Sequence, residues 1–381
     1  MNVAFSLLTL VPGAVGGSET YVRGLLVELA GGAGPERLTV LANRAMAAAY
    51  AGVESERVTL HRVRSYLSGT SGPVKALGLV AARVAPGAVA RDVPDGFDVT
   101  HFPLTVPVPR AKGPSVVTIH DLQHLELPQL FSATERRYRR WAYDAAARSA
   151  TRVVAISEHT RGAVIERLGV DPDRVEAIHL GIDLEHFSPE PDAGDARADE
   201  LGLPPRYLLY PANLWPHKNH RRLIEALAQI EDRDIALVLS GRTYGREDEV
   251  MGHARECGVE GRVRHVGFVP YELLPALYRR AEALVFPSLY EGFGLPPLEA
   301  MACGCPALAA DRASLPEVCG DAALLFDPED VGSMSAALDS VIGDAGARAD
   351  LSARGLRRAA QFSWRAAAEA HNEAYRRAAA G

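Results

Sequence analysis

The stretch from Phe286 to Pro306, F-P-S-L-Y-E-G-F-G-L-P-P-L-E-A-M-A-C-G-C-P, constrains the fold more than any other part of the chain. Ala283 to Phe286 reads as the end of a buried strand. A turn punctuated by Gly and Pro follows, then a short helix from about Leu295 to Cys303. Gly292 and Gly294, on either side of Phe293, let a ligand approach the backbone closely. The first N–H groups of a helix lack intrahelical partners and sit at the positive end of its dipole, which makes an anion site. Glu291 precedes the turn and Glu299 lies within the helix. Carboxylates beside such a site are poor phosphate ligands but good acceptors for sugar hydroxyls. The pattern points to a ligand that is both phosphate and sugar. The plainer alternative is a structural strand–turn–helix unit with two solvated glutamates.

With 381 residues the chain exceeds one ordinary core. Two domains of about 180 residues each are expected. A hydrophobic content of 48% and a charged content of 23% fit a soluble globular protein, and the net charge of -7 argues against bulk nucleic-acid binding. No apolar run reaches the roughly 18 residues that a membrane span needs. The start, M-N-V-A-F-S-L-L, lacks a basic leader and reads as a first strand, so a cytoplasmic protein is expected. Cys257, Cys303, Cys305 and Cys319 have no metal-binding spacing, and Cys303 and Cys305, at an apolar helix end, read as buried, reduced thiols. No metal and no resident cofactor are expected.

Strands and helices alternate along the first half. Val3–Leu10 is an apolar run of strand length. The loop after it ends in Gly16 and Gly17, and Ser18 is placed to cap a helix running to about Leu29, a second anion site at a strand's carboxyl end. Further strands are expected at Leu38–Ala42, Arg57–Val63, Val99–Phe102 and Ser115–Ile119. His120 and Asp121 follow the last of these, where a side chain faces a ligand crevice; the alternative is a satisfied loop histidine. Thr134–Arg148 reads as a helix with Arg136, Arg137, Arg139 and Arg140 followed by Trp141 and Tyr143. Such a helix either lies on anionic lipid at the inner face of a membrane or is a solvated face with its aromatics packed inward. Asp171-Pro172-Asp173 has a metal-like D-x-D spacing but sits in a proline turn, and turn chemistry explains it. The stretch 189–204 is rich in Pro, Asp, Ala and Gly and reads as a linker between domains at 1–188 and 205–363. The second domain opens with a strand at Tyr207–Pro211, then Asn213 to Lys218 and an amphipathic helix. A buried strand at Ile235–Leu239 leads to Ser240, Gly241 and Arg242, again at a strand end.

Glu291 and Glu299 with E-G-F-G-L-P between them, preceded by F-P-S and followed by E-A-M-A-C-G-C-P, resemble the E-x7-E motif of the retaining glycosyltransferases of family four. That family has the GT-B fold: two doubly wound Rossmann-like α/β domains facing across a cleft, with a last helix, here about 364–381, crossing back to the first domain. The resemblance implies a nucleoside-diphosphate sugar donor and transfer with retention. Glu291 would lie on the donor sugar, Glu299 on the ribose, and the turn at Gly292, Phe293, Gly294 and Leu295 on phosphate. V-T-I-H-D-L resembles the segment whose histidine, here His120, contacts the donor sugar. The Gly16-Gly17 loop would face the diphosphate, and Gly267-Phe268-Val269-Pro270 resembles the segment that meets the nucleobase. S-E-H-T-R at Ser157 and H-L-G-I-D at His179 also match family patterns. Of the family's two diphosphate cations, Lys218 is present, but Asn213 stands where the arginine belongs. Arg242 is a candidate replacement. P-H-K-N and S-G-R look most like mannosyltransferases of polysaccharide assembly, so GDP-mannose is the expected donor. The acceptor would be a saccharide, glycolipid or small molecule. Other readings are a GT-B epimerase or sugar-nucleotide hydrolase, a phosphorylase carrying pyridoxal phosphate on a lysine, and a sugar-nucleotide-binding protein without turnover.

Overall fold

The structure, a computed structural model, describes residues 1–10, 16–66, 86–89 and 91–381. The chain divides into two compact units, Met1–Gly181 with Ser363–Gly381, and Ile182–Phe362.

The first unit holds a seven-stranded sheet: β1 (Asn2–Ser6), β2 (Arg37–Ala42), β3 (Val58–Arg62), β4 (Val99–Phe102), β5 (Ser115–Ile119), β6 (Arg152–Ala155) and β7 (Val175–Ala177). All pairings are parallel and the spatial order is β3-β2-β1-β4-β5-β6-β7. The second unit holds β8 (Tyr207–Pro211), β9 (Ala236–Ser240), β10 (Val263–His265), β11 (Ala283–Phe286), β12 (Ala307–Ala310) and β13 (Ala323–Phe326), in the order β10-β9-β8-β11-β12-β13, again parallel. Both are doubly wound sheets of the Rossmann kind. Parallel strands covered on both faces read as unbroken apolar runs, and β5, β9, β11 and β12 are buried at every position.

Ala307–Ala310 has no strand signature in the sequence. Its A-L-A-A composition has low β-propensity, and burial between β11 and β13 decides its conformation. The first strand ends at Ser6; Leu7, Leu8 and Leu10 remain buried beyond the ladder. The first helix, Gly16–Glu28, begins at Gly16, so Ser18 lies inside its first turn and does not cap it. The rest of the glycine loop, 11–15, lies outside the described residues.

The compact units divide between Gly181 and Ile182, ahead of the expected boundary at 188. Phe187 is buried in the second unit against Tyr271 and Tyr278, at centroid distances of 5.3 and 6.1 Å. The segment read as a linker is a helical turn, Ala193–Ala198, with a capping box between Asp192 and Asp195. Arg279 reaches Asp192 at 3.3 Å and Arg280 reaches Asp199 at 2.8 Å, which fastens it to the second unit.

The last helix, Trp364–Ala380, is capped by Ser363 and packs on the Gly16–Glu28 helix and on β5 and β6 of the first unit. Gly181 makes that docking possible. A Cβ there would stand 2.1 Å from the Trp364 backbone nitrogen.

Candidate active site

In the second sheet the winding reverses between β8 and β11, the kind of switch point at whose strand carboxyl ends open α/β sheets bind ligands. The β8 loop carries Asn213 to Lys218 and the β11 loop carries Pro287 to Gly294. The two loops are laced together. Asn219, at φ 61°, donates its amide to Pro287 O at 3.1 Å and to Pro328 O at 2.7 Å, and Leu289 N–H donates to His217 O at 2.8 Å. The buried Tyr210 hydroxyl donates to Lys218 O at 2.7 Å.

This lacing sets Lys218 Nζ 2.6 Å from Glu291 Oε1, with side chains only 15% and 17% exposed. Burial pushes the Glu291 carboxyl up, but Lys218 and His217 beside it more than offset this, so it sits below the usual carboxylate range. Ser314 shares its hydroxyl proton between Glu291 O at 2.9 Å and Phe293 O at 2.5 Å, which fixes the turn. Gly294 adopts φ 134°, and a Cβ there would meet Leu315 at 2.9 Å.

The helix Leu295–Ala302 begins with Leu295-Pro296-Pro297. The two prolines carry no N–H, so of the first three helical residues only Leu295 offers an amide donor. Gly294 and Leu295 keep theirs, and the N-cap residue, Gly294, has no side chain with which to cap them. Phe293 and Leu295 are buried, 3% and 7% exposed. The same holds for Val269, while Phe268 is 63% exposed.

Glu299 is buried and accepts the Tyr278 hydroxyl at 2.7 Å. Burial pushes its carboxyl up to about 7, against the lowering effect of that hydrogen bond. Asn213 Oδ1 accepts the Arg242 backbone N–H at 2.8 Å, and Leu214 N–H returns to Arg242 O at 3.1 Å. Asn213 therefore clamps the β9 loop, with Gly241 N–H donating to Gly267 O at 2.8 Å alongside. The Arg242 guanidinium lies over the Phe268 ring at 5.1 Å. Trp215 and Tyr244, also exposed at these strand ends, meet at 5.3 Å.

In the first unit His120 follows β5 and donates through Nε2 to Pro103 O at 2.7 Å. Burial lowers its pKa; the hydrogen bond and Asp121 oppose this. Asp121 Oδ1 accepts Gln123 N–H at 3.0 Å and so starts the turn Gln123–Glu126. The Tyr21 ring meets the His120 imidazole edge-on at 5.0 Å, and Tyr21 belongs to the helix that Gly16 and Gly17 open. Asp171 Oδ1 caps its own turn by accepting Asp173 N–H at 3.0 Å.

Within the second unit, then, Lys218 and Glu291 meet, and Asn213, Arg242 and Phe268 form a second group. Glu299 is held separately by Tyr278. Sequence reading did not single out Tyr21, Tyr278 or Ser314. Each acts on a residue far along the chain, and no local pattern marks them.

The Glycosyltransferase Family 4 profile matches residues 15–186 and the Glycosyl transferases group 1 profile matches residues 195–358. The chain is 37% identical over 255 residues to the O-antigen chain mannosyltransferase B of Escherichia coli, covering 66% of this chain and 67% of that protein. It is 34% identical over 273 residues to the D-inositol 3-phosphate glycosyltransferase of Salinispora arenicola, covering 66% of this chain and 60% of that protein. In structure it is similar to the sucrose-phosphate synthase from Thermosynechococcus elongatus, with a TM-score of 0.78 over 99% of this chain and 98% of that one at 24% identity. That likeness speaks to the GT-B fold.

Proposed function

This chain belongs to the family 4 glycosyltransferases, and we propose that it moves a hexose, mannose from GDP-mannose, to a saccharide, glycolipid or small-molecule acceptor. The transfer proceeds with retention and without a metal ion. One observation carries the reading: Lys218 and the Gly294 and Leu295 N–H groups stand at the switch point of the second sheet beside Glu291. A departing diphosphate gains charge as the glycosidic bond breaks, and preorganised cationic and amide donors stabilise it. Arg242 adds a planar cation. Glu291 orients the donor sugar, and the resemblance of V-T-I-H-D-L assigns His120 a contact to a donor sugar. The capping role of Asp171 favours turn chemistry at the D-x-D spacing over metal binding. Mannose is favoured by the P-H-K-N segment and by likeness to the Escherichia coli mannosyltransferase.

The test is a panel of nucleoside diphosphates in thermal melts, followed by turnover with the matching sugar nucleotides. A ligand at ~100 times its Kd stabilises by ~2.7 kcal/mol, so the preferred base stands out. GDP is expected to lead, transfer should survive a chelator, and the product should keep the donor's anomeric configuration by NMR. A lead by UDP overturns the donor. Activity lost to the chelator and restored by magnesium or manganese overturns the metal-free mechanism.

Peripheral contact with an anionic membrane is part of the same proposal. In the helix Ala133–Ser149, Tyr138 and Trp141 are 41% and 45% exposed, and Arg136, Arg137 and Arg140 are exposed beside them. Arg139 lies over Phe131 at 4.8 Å, and Tyr143 packs inward on His124 at 4.9 Å. Among the described residues no helix is long and apolar enough to cross a membrane. Pelleting with phosphatidylglycerol vesicles should be lost when the four arginines are replaced by glutamine; unchanged pelleting refutes the contact.

A further inference from the structure

Within the first unit a run of fully buried side chains leads from the last helix toward His120. His371 Nδ1 lies 2.7 Å from Ala367 O, and the Tyr21 hydroxyl lies 2.9 Å from both His371 Nε2 and Thr118 Oγ1. Thr118 Oγ1 lies 2.8 Å from His101 Nε2, and His101 Nδ1 lies 2.8 Å from the Tyr375 hydroxyl. Tyr21, His101, Thr118, His371 and Tyr375 are each 0% exposed.

The chemistry of the groups orders the protons. A carbonyl only accepts, so His371 carries its proton on Nδ1 and accepts at Nε2 from Tyr21. Tyr21 has one proton to give, so its oxygen accepts from Thr118. Thr118 also has one, so its oxygen accepts from His101 Nε2–H, and His101 Nδ1 accepts from Tyr375. With both imidazoles neutral, this one assignment satisfies every contact. Burial holds both imidazoles below their ordinary pKa, in keeping with it. The same rule applies to His120: Pro103 O accepts, so Nε2 carries the proton and Nδ1 is left as an acceptor.

We propose that this chain is the positioning device for His120. Tyr21, locked at its hydroxyl by Thr118 and His371, holds the imidazole edge-on in the one rotamer whose Nε2–H reaches Pro103 O; that bond fixes the tautomer, so that Nδ1 is presented to a hydroxyl group of the bound sugar. The group that meets His120 must be a donor, which selects a sugar hydroxyl over a phosphate or carboxylate oxygen. Tyr21 and His371 are positioning residues. The proposal rests on the reading of His120 as a contact to the donor sugar.

The test reads the ring itself. In 15N-labelled protein, with His120 assigned by the signal lost in His120→Gln, the Nε2–H tautomer is expected to dominate. Tyr21→Phe keeps the aromatic ring and removes the hydroxyl; Thr118→Val breaks the chain one step on. Both should mix the His120 tautomers while thermal melts show a folded protein. With GDP-mannose both should lower kcat by ~10- to 100-fold, the scale of a misplaced catalytic contact, with little change in KM. His371→Gln, whose amide oxygen can still accept from Tyr21, should recover part of both signals. An unchanged His120 tautomer in Tyr21→Phe overturns the proposal, whatever the activity. Absence of turnover with every sugar nucleotide in the wild type overturns the proposed function instead, and the tautomer readout still decides this proposal.

Discussion

Lys218 and Glu291 form an ion pair, Nζ to Oε1 at 2.6 Å, across the point where the second sheet reverses its winding. The pair joins the residue proposed for the diphosphate to the residue proposed for the donor sugar. Glu291 therefore restrains Lys218 until a more acidic ligand competes for it. Glu291→Ala should bind bare nucleoside diphosphate as well as the wild type or better, while turnover falls. Lys218→Ala should weaken that binding ~10- to 150-fold, from the loss of one charged hydrogen bond. It should also lower stability on the order of 3 kcal/mol by leaving a buried carboxylate unpaired. Calorimetry and melts check both. Equal losses of nucleotide affinity in the two variants would refute the division of roles.

Glu299 predicts a pH dependence. Its folded pKa of about 7 lies above the ordinary 4.5 because burial disfavours the charge. The stabilising contribution of its protonated form is complete below about 4.5 and is lost as pH rises toward about 7. Glu299→Gln, which mimics the neutral acid, should gain on the wild type across that window and run parallel above it. If the carboxylate accepts ribose hydroxyls, wild-type affinity for the nucleoside diphosphate should fall as pH drops below about 7. The variant should bind more weakly and without that slope. Melts and calorimetry in a pH series decide.

Arg242 and Asn213 separate by role. Asn213 clamps the backbone of the loop, and Arg242 carries the charge. Arg242→Ala should lower turnover ~10²- to 10³-fold, the scale for one donor to a developing anion. Arg242→Lys should recover only part, since an ammonium lacks the planar fork. Asn213→Ala should lower turnover about tenfold or less. The reverse order would place the diphosphate at Asn213.

Two glycines of the first unit should respond oppositely. Gly181→Ala drives a methyl group into the Trp364 backbone and should destabilise by ~3 kcal/mol or more. Among the described residues nothing lies within 4 Å of a Cβ at Gly16, so Gly16→Ala should change stability by less than ~1 kcal/mol. A fall in turnover for Gly16→Ala at unchanged Tm would report ligand approaching that helix start.

The local motifs were legible because each is written in neighbouring residues. Buried parallel strands announce themselves as apolar runs, Ser157 caps the helix that follows it, and Asp171 closes its own turn. Glu291, Gly294 and Glu299 lie within one strand–turn–helix, and the family resemblance rests on that stretch. What the tertiary structure decided concerns partners distant in sequence. The meeting of Lys218 with Glu291 follows from β8 lying beside β11, an order that periodicity does not carry. The raised pKa of Glu299 follows from burial that outweighs its hydrogen bond from Tyr278, the strand at Ala307–Ala310 from its place between two others, and the setting of His120 from a last helix that returns to the first sheet. Propensity and spacing are properties of a segment. Ion pairing, desolvation and the direction of a buried hydrogen bond depend on which segments pack together.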